Sequence, residues 1–138
     1  WIMSKDWVKD IHDMQTKYKT RDWVWDNRMN DEKLRAFLKF RIGFLQEELD
    51  ETREAHVVRD AEEIVDGLID LCVVAIGTLD AFGVDPYKAW DEVLKANMAK
   101  EVGVKPTRPN PLGVPDLVKP EGWEAPSHEG NHGKFNNI

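Results

Sequence analysis

The chain has 138 residues and a mass of 15.9 kDa, enough for one domain with a core but too little for a two-lobed enzyme that closes a hinge over its substrate. Hydrophobic residues make up 41% and charged residues 33%, and no apolar run reaches the roughly 18 uncharged residues of a membrane span, so a membrane location is not expected. The 19 basic and 26 acidic side chains give a formal charge of -7, which opposes binding to nucleic-acid polymers and means that a phosphate ligand would need mediating cations.

Cys72 is the only cysteine, which excludes disulfide scaffolds and cysteine zinc sites. The opening residues carry Lys5, Asp6 and Lys9 and show no secretory pattern, so a cytoplasmic setting is expected.

Only Gly43 and Gly67 precede residue 77 among the glycines, whereas six of the seven prolines lie from Pro106 onward. The first hundred residues therefore read as helical and the remainder as irregular. The spacing of Trp7, Val8, Ile11 and Met14 predicts a first helix from about Ser4 to Lys19, followed by a loop holding Trp23 and Trp25. Asn30 is an N-cap candidate, with Asp31 and Glu32 in the first turn, for a long second helix to about Val57. Asp60 and Glu63 form a capping-box pair that opens a third helix ending near Gly83, and Asp85-Pro86 opens a fourth that stops near Gly103. The expected architecture is an all-α four-helix bundle over residues 1–104. An irregular arm over 105–128 packs on the domain or on a neighbouring subunit, and a tail over 129–138 reads as disordered.

The second helix carries the informative anomaly. Advancing about 100° per residue puts Leu34, Leu38, Ile42, Leu45 and Leu49 on one stripe, widened by Phe37 and Phe44, and Glu48 falls inside that apolar sector. Glu51 lies at its edge and Glu47 just beyond, while Asp50 and Glu54 face the solvated side. The third helix is apolar almost all round yet holds Asp66 and Asp70 one turn apart, a like-charge pair among Leu68, Ile69, Leu71, Val73 and Val74. A carboxylate on an apolar face is costly unless its charge is compensated. Two antiparallel helices joined by the short His56 to Asp60 connection set Glu48 and Glu51 opposite Asp66 and Asp70, an all-oxygen site suited to Mg²⁺ or Mn²⁺. Pairing of these acids with Lys or Arg from other helices is the competing reading, and Glu63 is already explained by capping.

Glu47-Glu48-Leu-Asp-Glu51, followed by Glu63-Ile-Val-Asp66 and Asp70, resembles the E-E-x-x-E and E-x-x-D signature of the all-α nucleoside triphosphate pyrophosphohydrolases. That is the MazG-like superfamily, which includes phosphoribosyl-ATP pyrophosphohydrolase and the all-α dUTPases. The segments Asp70 to Leu79, Gly83-Val-Asp85, Glu92-Val93 and Asn97-Met-Ala-Lys100 look like the later helices of its small, phage-type members. The resemblance implies metal-dependent hydrolysis of a nucleoside triphosphate, with a deoxynucleotide expected, between the α and β phosphates. It also implies metal ligation by Glu48, Glu51 and Asp70, and a water oriented or deprotonated by Glu47. Counting back from Asp85 sets Asp70 on the signature's aspartate and leaves Gly67 where its glutamate belongs. Asp66 is then the expected substitute, with Glu63 as the alternative.

Asn97 and Lys100, one turn apart, are candidate holders of phosphate and sugar oxygens, though a helix dipole equally explains a cation at Lys100. Lys39 is a further phosphate candidate. Lys119-Pro-Glu-Gly-Trp123 resembles the tail of phage-type members and is a candidate cover over the site, with Lys119 and Trp123 as substrate contacts. Trp23 and Trp25 are candidates for stacking on a base, with core or subunit packing as the alternative. The third helix has more apolar surface than a single chain can cover, so a homodimer or homotetramer is expected. Two other functions compete: phosphoribosyl-ATP hydrolysis on the same fold, and a non-catalytic acidic helical module that pairs with a basic partner.

Overall fold

A computed structural model describes residues 5–108 and 110–138. Among them are five helices, α1 (Trp7–Tyr18), α2 (Thr20–Asp26), α3 (Asp31–Val57), α4 (Ala61–Ala81) and α5 (Pro86–Met98). A two-stranded antiparallel ribbon of β1 (Glu101–Gly103) and β2 (Asp116–Val118) and a 3₁₀ turn at Gly133–Phe135 complete the order. The fold is all-α, as expected. It divides into two compact units: one runs to Pro86 and takes in His132–Ile138, and the other spans Tyr87–Asn131. Among the described residues no helix is long and apolar enough to cross a membrane.

Short polar side chains set the helix starts. Asp6 accepts from the Lys9 amide at 3.0 Å, Asn30 from the Lys33 amide at 3.0 Å and Asp60 from the Glu63 amide at 3.1 Å, each satisfying one of the free donors of a first turn. At the end of α3, Arg59 takes a left-handed φ of 60° and the Asp60 amide reaches back to the Ala55 carbonyl at 2.9 Å. This closed turn reverses the chain and lays α4 antiparallel along α3.

The structure corrects two of the expected boundaries. The loop expected around Trp23 and Trp25 is helix α2, set off from α1 by Lys19 in a left-handed conformation. Seven residues make no stable helix alone. Burial of Val24 and packing of Trp23 on Phe37, ring centroids 5.0 Å apart, hold α2 in place. The helix expected to reach Gly103 stops at Met98, and Glu101–Gly103 pairs with Asp116–Val118 instead. Observed α1 starts at Trp7, and the expected start at Ser4 lies outside the described residues.

The tail expected to be disordered is docked on the first unit. Phe135 stacks on Phe82 with centroids 4.5 Å apart, the Lys134 amide donates to the Phe82 carbonyl at 2.7 Å, and Arg35 donates to the Ile138 carbonyl at 2.9 Å. Gly133 permits this approach, because any Cβ there would collide with the Phe82 carbonyl and its φ is +53°. Local polarity predicted disorder, but one aromatic side chain with a core to enter outweighed it.

Phe82, Val24, Leu34 and Ala81 form the buried core, with Phe37, Leu38, Phe135 and Ile138 around them. Phe82 lies twelve residues beyond Asp70, about 18 Å along α4. The core thus clamps one end of the α3–α4 pair, and the acidic residues occupy the stretch beyond it. Along α4, Val65, Leu68 and Ile69 are 64%, 51% and 44% exposed, and Phe40, Ile42 and Leu49 of α3 are exposed as well.

Candidate active site

Two contacts fix the register of the α3–α4 seam. Gly67 faces Thr52, and Arg41 donates through Nε to the Thr78 hydroxyl at 3.0 Å. Between these rungs the antiparallel register sets Glu48 opposite Asp70. Glu48 is partly buried, and its Oε2 is enclosed without a hydrogen-bond partner. Burial pushes the Glu48 carboxyl above the usual carboxylate range, and the charges of Asp70, Glu51, Asp66 and Glu47 push it further. Four of the acids singled out from the sequence thus act on the fifth, Glu48. Glu63 is not among the carboxylates that act on Glu48. It is exposed in the first turn of α4, with its amide held by Asp60.

The same seam explains why Gly67 stands where the family signature has glutamate. The Thr52 hydroxyl donates to the Glu48 carbonyl at 2.7 Å, and a Cβ on Gly67 would strike that hydroxyl and lie 3.2 Å from the Thr52 Cβ. The helices approach too closely for a side chain at this position. Asp66, exposed on the adjacent position, and Asp70, partly buried, are the acids that α4 supplies.

The residues fit a divalent cation in kind. All the donors are carboxylate oxygens, which suit Mg²⁺ or Mn²⁺, and an enclosed carboxylate oxygen without a donor is the group such an ion satisfies. Among the described residues no three His, Cys, Asp or Glu side chains converge at ligand spacing. Bare like charges repel.

Of the other candidates, Lys39 is exposed and lies half a turn round α3 from Glu48. Trp23 packs on Phe37, and Trp25 carries the Arg28 guanidinium 4.1 Å from its ring centre, while both remain exposed. Asn97, Lys100, Lys119 and Trp123 belong to the second unit. There the Trp123 indole donates to the Ala96 carbonyl at 2.7 Å, and the Lys100 and Lys119 ammoniums lie 5.3 and 4.9 Å from its ring. Asn97 is exposed at the end of α5, next to this group in the chain. Trp123 also lines a cleft of about 400 Å³ with Glu92, Lys95 and Ser127.

Two groups of the first unit escaped the sequence reading. Asp80 is buried and joins α1 and α2 to α4 through His12 Nδ1 at 2.7 Å and Arg21 Nε at 3.2 Å. Arg41 is partly buried, and burial pulls its pKa below the usual arginine value. The available signal for Arg41 was its position two helical turns before Glu48, on the same face.

Comparison with known proteins identifies the family of the chain. The model of the phosphoribosyl-ATP pyrophosphohydrolase family matches residues 9–97, which span all five acids and Asn97 but not Lys100, Lys119 or Trp123. A 65-residue stretch, 45% of this chain, is 40% identical to an inositol-1-monophosphatase of Mycobacterium leprae (strain TN) and spans only 22% of that protein's length. No solved structure matches the chain. With the family match covering well over half of its residues, the chain belongs to the phosphoribosyl-ATP pyrophosphohydrolase family, within the MazG-like superfamily of all-α nucleotide pyrophosphohydrolases.

Proposed function

We propose that the protein hydrolyses a nucleoside triphosphate, with a deoxynucleotide expected, between the α and β phosphates to give a monophosphate and pyrophosphate. Family membership supports nucleotide pyrophosphohydrolysis in general. One observation carries the finer reading: the enclosed, unpartnered Oε2 of Glu48, whose carboxyl also feels the charges of Asp70, Glu51, Asp66 and Glu47. An ionised carboxylate in that setting is costly, and a cation shared with a polyphosphate relieves the cost on both sides.

In this reading Glu48, Glu51 and Asp70 hold Mg²⁺ or Mn²⁺, with Asp66 completing the set. When bound, the ion neutralises phosphate charge and makes water a usable nucleophile near neutral pH. Glu47 is exposed at the edge of the cluster, where it orients a water and takes its proton. The water oxygen forms the new bond to phosphorus, and the α–β anhydride bond breaks. Asn97, Lys100, Lys119 and Trp123 are proposed as the substrate contacts that the second unit, taken by itself, offers. The exposed face of Val65, Leu68 and Ile69 is covered by a second copy of the chain, since a contiguous apolar surface of this kind marks an interface.

A pyrophosphate-release screen over common and modified nucleotides and phosphoribosyl-ATP, with and without Mg²⁺, tests the reading. Mg²⁺-dependent release from at least one nucleoside triphosphate is expected. Release from phosphoribosyl-ATP alone would transfer the activity to histidine-pathway chemistry, and no release from any substrate would leave the acidic helices as an interaction module.

A further inference from the structure

The Arg41 side chain is a cation on the Glu48 face of α3, and nothing in the proposed reaction has used it. It lies two turns before Glu48 on the same face of α3, and its guanidinium crosses to α4, where Nε donates to the Thr78 hydroxyl at 3.0 Å and Nη2 to the Val74 carbonyl at 3.2 Å. Both acceptors are neutral, and the two bonds use two of the five guanidinium donors. Among the described residues no carboxylate comes within 4.0 Å of it. A partly buried arginine is ordinarily paired with an anion, because neutral acceptors compensate its lost hydration only in part.

The surroundings hold this cation in place, with the buried Gln15 of α1 bordering the same spot. Gly77 lies beneath the guanidinium, and a Cβ there would sit 2.8 Å from Nη2. Thr78 donates in turn to the Val74 carbonyl at 2.7 Å, so the hydroxyl that accepts from Nε is fixed in direction. Val74 follows Asp70 by one turn, about 6 Å along α4. A polyphosphate engaged at Glu48 and Asp70 reaches that far, and a guanidinium presents its fork in the geometry that phosphate oxygens accept.

We infer that Arg41 is a phosphate-binding residue of this site, taking oxygens of the pyrophosphate portion of the nucleotide while the carboxylate cluster holds the reacting end. This inference rests on the proposed pyrophosphohydrolase reading and adds to it a group that recognises the leaving pyrophosphate. The alternative is a stitch between α3 and α4 that touches no ligand.

Calorimetric titration with inorganic pyrophosphate at saturating Mg²⁺, on the parent protein, Arg41→Gln and Arg41→Lys, separates the two. Titrations with Mg²⁺ alone and with a nucleoside monophosphate are the controls. Pyrophosphate affinity should fall at least about tenfold in Arg41→Gln and by less in Arg41→Lys, which keeps the charge but loses the fork. Mg²⁺ and monophosphate affinities should stay within about twofold, because those ligands meet other groups. A stitch would lower the melting temperature and leave pyrophosphate binding alone. Pyrophosphate affinity within about twofold of the parent in Arg41→Gln, or in Arg41→Lys if the glutamine variant does not fold, overturns the inference. A parent protein that releases no pyrophosphate from any nucleotide defeats the proposed reaction itself, whereas an active parent with Arg41-independent pyrophosphate binding defeats only this assignment.

Discussion

Replacing Glu48 by glutamine keeps the shape of the side chain and removes its charge, so it tests the cluster with little change in packing. In the parent, Oε2 is enclosed without a donor and four carboxylates act on the group. Glutamine is still polar at that place, so what the substitution removes is the like-charge repulsion and the extra desolvation of a charge, about 1 kcal/mol at a partly exposed site. Without divalent cations Glu48→Gln should therefore melt higher than the parent by roughly 3–4 °C, on the scaling for a chain of this size. At a Mg²⁺ concentration 100 times its dissociation constant the parent gains about 2.7 kcal/mol. A variant that binds tenfold more weakly gains about 1.4 kcal/mol at the same concentration. The early advantage of the variant should thus be erased or reversed on adding Mg²⁺, and its turnover should be abolished. Scanning calorimetry with EDTA and then with Mg²⁺ reads both halves. A variant that melts lower than the parent in EDTA, with an equal Mg²⁺ response in the two proteins, would refute the argument that Glu48 is a strained ligand.

Four further outcomes follow from named contacts. Asp70→Asn should abolish metal-dependent turnover while keeping the helical circular-dichroism signal, whereas Asp50→Asn, exposed and bonded only to Gln46 at 2.9 Å, should change activity and stability within about 0.5 kcal/mol. Asp66→Asn should weaken Mg²⁺ binding by about tenfold or more while Glu63→Gln leaves it unchanged; calorimetric titration giving the reverse order would make Glu63 the ligand. Leu68→Lys, on the exposed face of α4, should shift the mass measured by light scattering from dimer or tetramer toward monomer, and a parent that is already monomeric at micromolar concentration contradicts the interface. Phe135→Ala should cost about 1–2 kcal/mol, less than a full core truncation because Phe135 is only partly buried, and hydrogen exchange should show faster exchange of the Lys134 amide.

The sequence alone was enough to place the starts of α3, α4 and α5 and the azimuth of the acids on α3 and α4. Asn30 and Asp60 cap locally, and once a start is known the 3.6-residue period assigns Glu48 and Asp70 to their faces without reference to the rest of the chain. The cost of putting charge on an apolar stripe is likewise a local argument, and Glu48 proved to be the acid on which burial and its neighbours bear most clearly. Tertiary structure decided what depends on distance between helices. That Gly67 must be bare because Thr52 presses on it, and that Arg41 crosses to Thr78 with no carboxylate to meet it, follow from the register between residues 15 and 37 positions apart. No periodicity encodes that register. The same limit explains α2 and the tail: a seven-residue helix and a polar C-terminal stretch look unstable on local grounds, and Val24, Trp23 and Phe135 hold them only because Phe37 and Phe82 are there to receive them.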